Sequence, residues 1–275
     1  MRVLSRIYNH LFSPASLINI IEENKIKGMS VDSSELYKFA TLKTERNMKA
    51  TILAYEELLA KYPTKRPLFI FENTTQCEYT SSHAATGEFF FDVDEYNRSF
   101  ANGAAEIKKF EHILRILNTQ NTSLSDFYGK INLNKNDAFK ALAELSYNDA
   151  KFLEEDIIVH LCPTKKSSEC FARMINGYFV DDLQPHQSYA LINFVCSFAY
   201  EFIGIGANLM LFYKQNPLEK NRAKELFVEL EKLYALNEKQ LQEAIGFLVE
   251  SKKYLLLPYT NSFSDTKSTQ TQSIK

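Results

Sequence analysis

Two aspartates one residue apart, Asp92 and Asp94, follow three consecutive phenylalanines in the stretch GEFFFDVDEYN, Gly87 to Asn97. Carboxylates delivered by the end of a buried strand are suited to holding a divalent cation, moving a proton or attacking phosphorus. Two other places have a related character: Thr164, Lys165 and Lys166 after IIVHLCP, and Asp181 and Asp182 after YFV. In an open parallel sheet the carboxyl ends of the strands share one edge, where ligands bind. Converging there, Asp92, Asp94, Asp181 and Asp182 would hold one Mg²⁺. The Thr164 hydroxyl and the Lys165 and Lys166 ammonium groups would neutralise phosphoryl oxygens. Plainer readings stand beside these. Asp92 and Asp94 also suit a solvated acidic turn, Asp181 and Asp182 a turn that caps the next helix, Thr164 an N-cap, and the two lysines ordinary surface charge.

Other chemistries are less well supplied. Cys77, Cys162, Cys170 and Cys196 form no C-x-x-C pair, which disfavours a zinc ribbon or dithiol site and favours buried thiols. A cysteine hydrolase built from Cys77 with His83, His160 or His186 lacks any family-specific surrounding sequence. The five histidines are scattered with no i, i+4 pair, and His160 within IIVHLC reads as a core histidine with a hydrogen-bonded ring. With only 8 glycines the chain has no dinucleotide-binding fingerprint. Its 32 basic and 34 acidic residues are spread evenly, so there is no basic field for nucleic acid.

The elements that must position these groups are legible in outline. A chain of 275 residues, 45% hydrophobic and 24% charged, has enough apolar content for a core of its own. Residues 1–66 read as a helical N-terminal extension, with Asp32 and Glu35 as a capping box and Leu36, Phe39, Ala40, Ile52, Tyr55, Leu58 and Leu59 on one face. Residues 67–215 read as an α/β core. PLFIFE is a strand, NTTQCEYTSSHAATG a loop or hairpin, GEFFFDVD a strand, DIIVHLC a strand and GYFVDD another, with a helical insert at about 97–155. Alternating strands and helices predict a central, largely parallel sheet flanked by helices. Residues 216–257 read as a C-terminal helical pair, with Leu226, Leu230 and Leu233 as an apolar stripe, and 258–275 as a disordered polar tail.

Tyr189 to Tyr213 is long enough to cross a bilayer, which takes about 20 residues, but Glu201 at its centre favours a buried helix over about 189–202 followed by the strand ANLMLFY. The N-terminus, interrupted by Asn9, His10 and Pro14, does not read as a signal peptide, so a cytoplasmic location is expected.

In order along the chain, FFFDVD, IIVHLCPT with its lysines, and YFVDD resemble the four motifs of the haloacid dehalogenase-like phosphatase family over roughly residues 87–215. The resemblance implies a Mg²⁺-dependent phosphohydrolase acting on a phosphorylated substrate. Asp92 would be nucleophile and metal ligand, Asp94 general acid and base, Thr164 and Lys165 or Lys166 phosphate ligands, and Asp181 or Asp182 further metal ligands. Glu95 and Tyr96 stand where the family places glycine and threonine, which leaves two forms of the resemblance open: an active enzyme, or a degenerate member that keeps the fold without turnover. The alternative is a noncatalytic interaction protein with helical docking surfaces for a protein partner. Its Ser/Thr/Gln-rich tail resembles the secretion tails of bacterial type IV effectors, implying export by a route without a signal peptide.

Overall fold

The computed structural model describes residues 29–31, 39–99 and 104–263. Among these, seven strands form one sheet: β1 (Met29–Val31), β2 (Ala40–Lys43), β3 (Arg66–Ile70), β4 (Asp156–Cys162), β5 (Glu201–Ile205), β6 (Leu209–Tyr213) and β7 (Tyr254–Pro258), in the order β1-β2-β4-β3-β5-β6-β7. Helices alternate with these strands, so the fold is α/β in the coarse sense. The expected largely parallel sheet is corrected. Among the described residues β3 and β5 are the one parallel pair, and every other neighbouring pair is antiparallel. The turn at residues 206–208 joins β5 directly to β6, a connection too short for anything but antiparallel neighbours. The long excursion between β3 and β4 brings the chain back beside β3 running the other way.

Both faces of the sheet are covered. Strands β6 and β7 are buried at every position. On one face Phe202 and Phe212 meet at 5.6 Å beneath Phe171 of the 3-10 stretch Ser167–Arg173. One residue along, Tyr213 points to the other face and meets Tyr55 at 5.6 Å, which also lies 6.1 Å from Phe69. This period-two alternation feeds two apolar layers from one sheet.

Helix α1 (Met48–Lys61) is capped by the Asn47 side chain, which accepts from the Lys49 amide at 2.8 Å. It buries Ile52, Tyr55 and Leu58. The rest of the expected N-terminal helix differs: Met29–Val31 and Ala40–Lys43 are strands, and along β2 burial alternates, with Ala40 and Leu42 inward. The expected cap at Asp32 and Glu35 lies outside the described residues.

The polar stretch after β3 is a helix, α2 (Thr74–Ala84), not a loop; Asn73 caps it and Cys77, Thr80 and Ala84 form its narrow buried stripe. GEFFFDVD is not a strand. It makes a 3-10 turn, Gly87–Phe89, then an extended link into α3 (Val93–Ser99). Helices α4 (Ala104–Thr119) and α5 (Ala138–Ser146) occupy the expected helical insert. GYFVDD is also not a strand; its one ladder contact is an isolated bridge from Asp182 to Thr260.

The candidate bilayer-spanning stretch divides into α6 (Pro185–Cys196), β5 and β6, and among the described residues no helix is long and apolar enough to cross a membrane. Helix α7 (Lys220–Tyr234) buries Leu226, Leu230 and Leu233 as expected. The next segment runs through α8 (Glu238–Leu241), a π turn at Gln242–Gly246 and α9 (Phe247–Ser251) into β7, so its apolar end is a strand rather than helix. The order continues past Pro258, because Tyr259, Thr260 and Phe263 are buried; residues 264–275 lie outside the described residues.

Candidate binding surface

The sheet register decides which candidate residues share an edge. Cys162, the last residue of β4, pairs with Arg66, the first of β3, while Ile70 at the other end of β3 pairs with Ile205, the last of β5. Pro258, the last of β7, pairs with Leu209 on that same side. Thr164, Lys165 and Lys166 therefore lie beyond the edge where β3 begins. Asp182, bridged to Thr260 just after β7, lies beyond the edge where β3 ends. The five residues of β3 set these edges about 15 Å apart at ~3.3 Å per residue. The expected convergence of these two groups is thereby corrected, because antiparallel strands send their carboxyl ends to opposite sides.

Each candidate residue has a local occupation. The Asp92 carboxylate accepts from the Glu95 amide at 2.8 Å, and Asp94 and Glu95 fill the acidic first turn of α3, where negative charge complements the helix dipole. The Thr164 hydroxyl bonds the Glu169 carboxylate and accepts from the Lys166 amide at 3.1 Å. Lys165, Lys166 and Asp181 are exposed. Asp182 is buried and accepts from the Phe179 amide at 3.1 Å. Burial raises its carboxyl above the ordinary range, while bonds from Thr260 and Phe179 pull it back. Among the described residues no three His, Cys, Asp or Glu side chains gather as a metal site would require. Cys77 is fully buried with the Asn176 amide nitrogen 3.7 Å from its sulfur, and burial pushes its thiol far up, which suits packing rather than attack.

What the fold builds beyond the ends of β3, β5 and β7 is a braced presentation of aromatic side chains. Glu72, just after β3, accepts from the Asn208 backbone amide at 2.9 Å and from its side-chain nitrogen at 2.6 Å, tying the β5–β6 turn to β3. The Tyr259 hydroxyl bonds the Gly206 and Ala207 carbonyls at 2.8 and 2.6 Å. Tyr259 in turn accepts the Leu183 amide through its carbonyl at 2.8 Å. Asn176, fully buried, accepts the Thr80 hydroxyl at 2.5 Å, which fixes the start of the next turn against α2. Gly177 then adopts a φ of +111°. Across the turn the Asp182 amide donates to the Phe179 carbonyl at 3.1 Å, and the Asn261 amide to the Asp181 carbonyl at 3.2 Å.

This bracing holds the backbone while the side chains at its tip face water. Tyr178 is 45% exposed, Phe179 44% and Val180 86%. They continue onto α2: the Tyr178 ring lies 5.1 Å from Phe179 and 4.8 Å from His83, and His83 lies 4.1 Å from Tyr79, itself 49% exposed. Single exposed apolar residues are ordinary, whereas a contiguous exposed cluster marks an interaction site. Sequence reasoning placed YFV inside the sheet. The available signals were Gly177 before it, Asp181 and Asp182 after it and Pro185 close behind, which bound an apolar run too short for an ordinary strand.

Among known proteins the chain matches no family model, no curated sequence and no solved structure.

Glu72 also gives this edge a pH signature. Burial raises its carboxyl, bonds from Asn208 and Leu209 lower it, and the nearby Glu154 raises it, with a net upward shift. The folded state therefore holds this proton more tightly than the unfolded chain. Its contribution to stability is fully present below the ordinary glutamate pKa of about 4.3 and is lost as pH rises through the raised folded value. Melting temperatures of the wild type and Glu72→Gln, measured from pH 4 to 8, are expected to converge in slope at the acidic end, with the wild type falling more steeply above it. Asp182, raised in the same sense, leaves a residual slope in the variant. Parallel curves would show that Glu72 titrates normally in the folded protein.

Proposed function

We propose that this protein is a noncatalytic binding protein that engages a partner through the aromatic surface of Tyr79, His83, Tyr178, Phe179 and Val180. The observation that supports this most directly is the exposure of three consecutive apolar side chains on a turn held at both ends by hydrogen bonds. A pinned backbone loses little conformational freedom on association, so burial of the exposed rings is offset by a smaller ordering cost than in a loose loop. Aromatic anchors are also the side chains that dominate interface energetics.

The test is photocrosslinking from position 180, with a benzophenone amino acid in place of Val180, in the native cell extract. The comparison protein carries the same crosslinker together with Tyr178→Ser and Phe179→Ser. Both substitutions fall on exposed positions, so the two proteins should melt within a few degrees of each other, about 1 kcal/mol in stability. A discrete adduct formed by the first and lost from the second is the expected result; equal adducts, or none, would remove the reading. The phosphohydrolase expectation is examined on the same footing by melting the wild type and Asp92→Asn with and without Mg²⁺. Under the binding reading both respond alike, whereas a Mg²⁺ stabilisation confined to the wild type would restore Asp92 as a metal ligand.

A further inference from the structure

The four cysteines divide into one pair and two separate thiols. Cys162 and Cys170 are both fully buried and both free. They stand eight residues apart with no C-x-x-C spacing, so the fold rather than the local sequence brings them together. Cys162 closes β4 and sits directly opposite Arg66, the first residue of β3. From the covering 3-10 stretch Cys170 reaches the same place: its sulfur lies 3.9 Å from the Arg66 carbonyl oxygen and within hydrogen-bond reach of the Cys162 sulfur. The stretch that carries Cys170 is tied down along its length. The Ser167 hydroxyl accepts the Phe202 amide at 3.2 Å, Glu169 bonds the Thr164 hydroxyl, and Arg173 reaches Glu106 on α4. Cys77 lies instead against Asn176, and Cys196 ends α6, where it keeps some exposure.

We propose that Cys162 and Cys170 are a reversible disulfide site, a covalent staple between the end of β4 and the layer that covers Phe202. The oxidant is a small-molecule disulfide of the glutathione class. One cysteine thiolate attacks its S–S bond, forming a mixed disulfide and releasing one thiol. The second cysteine thiolate then attacks the protein sulfur of that mixed disulfide, forming the Cys162–Cys170 bond and releasing the other thiol. The protein gives up two protons and two electrons, and the oxidant leaves as two thiols. Contact between the two sulfurs favours the second step, which is intramolecular, over capture of another oxidant molecule. The bond closes at about 2.05 Å, so each side chain has only a small rotation to make.

Burial, reinforced by the adjacent Cys162, holds the Cys170 thiol well above its ordinary range, while the Arg66 guanidinium pulls it down. Since the thiolate is the attacking form, the closed layer reacts slowly, and exchange proceeds when the 3-10 stretch lifts from the sheet. On closing again, the contacts that align the thiols also hold the disulfide. The pair sits at the edge where β3 begins, opposite the edge that carries the aromatic turn, so it stands independently of the docking reading.

The test incubates the full-length protein with oxidised glutathione, blocks the remaining thiols with iodoacetamide in denaturant, and cuts the chain with trypsin without reduction. Lys165 and Lys166 lie between the two cysteines, so a disulfide joins a peptide ending at Lys165 to one ending at Arg173, a species that dithiothreitol separates. That species is the expected product, formed although Cys196 is the more exposed thiol. A covalent ring from Cys162 to Cys170 constrains the unfolded chain, so the oxidised protein should melt about 5 °C above its reduced form. The gain should persist in Cys196→Ala and vanish in Cys170→Ser, each variant being compared with its own reduced form so that the cost of the substitution cancels. Recovery of Cys162 and Cys170 as separately blocked or glutathionylated thiols would overturn the proposal and leave both as packing residues. A disulfide from either of them to Cys77 or Cys196 would overturn it as well. So would a Cys162–Cys170 bond that lowers the melting temperature, because the fold would then be resisting the bond.

Discussion

Gly177→Ala is expected to lower stability by about 3–4 kcal/mol, or roughly 10 °C in Tm, and to abolish partner binding. At φ +111° the backbone occupies a region that side chains rarely tolerate. A Cβ built there lies 2.4 Å from the Leu183 carbonyl oxygen, 2.9 Å from the Gln184 Cα and 3.0 Å from the Pro185 Cδ. The first two are backbone atoms. Leu183 is itself held by its amide bond to the Tyr259 carbonyl, and Pro185 opens α6, so neither neighbour can step aside without releasing the turn. Gly129→Ala is the control: its φ of +71° also disfavours a side chain, yet nothing lies within 4 Å of the added carbon. That change should cost only about 1 kcal/mol. Thermal melts of both variants, with hydrogen exchange at residues 177–183, separate the backbone collision from the conformational preference. Equal costs for the two would show that the turn relaxes around the extra carbon and is not rigid.

The same turn shows why part of this molecule was legible in its sequence and part was not. Periodicity reports which side of an element is dry. The spacing of Leu226, Leu230 and Leu233 in α7 therefore led directly to a helix. The apolar run DIIVHLC gave β4 with its observed bounds. Short apolar runs carry no such information. Of Phe89, Phe90 and Phe91 the first closes a 3-10 turn and is buried, while the second lies in the extended link after it and is 61% exposed, although all three are the same residue. YLLLP continued a helical pattern in sequence but became β7, where pairing with β6 satisfies its backbone. Strand direction was the least legible feature. Helices between strands are the usual mark of a parallel sheet, yet they equally fill a long return to an antiparallel neighbour, as between β3 and β4. Since the expected phosphate site required every strand end to share an edge, it depended on the one property the local pattern does not encode. The aromatic surface was hidden for a related reason: only the hydrogen bonds of Asn176, Asp182 and Tyr259, all long-range partners, determine that Tyr178 to Val180 point outward.

Long-range polar contacts also set the second large effect. Arg173, at the end of the 3-10 stretch, donates to the Glu106 carboxylate at 2.5 Å and through Nε to His160 Nδ1 at 3.2 Å. It thereby joins α4, β4 and the layer that covers Phe202. The Arg173 and Glu106 side chains are only 14% and 13% exposed, and His160 is buried, the hydrogen-bonded core histidine its sequence context suggested. Removing one partner of such a pair leaves the other charge with poor hydration. Arg173→Met should therefore cost about 3 kcal/mol, at the lower end for a buried pair because some water reaches both groups. The companion variant Glu106→Gln should cost less, since its amide still accepts from the guanidinium. In Arg173→Met with Glu106→Gln the unpaired carboxylate is gone, and most of the lost stability should return, to within about 1 kcal/mol of the wild type. Urea melts of the four proteins form a double-mutant cycle, and a coupling energy of at least about 2 kcal/mol is the expected result. Additive costs would mean that Arg173 stabilises the fold through its alkyl stem against α4, leaving the charge pair with no share in holding the helix to the sheet.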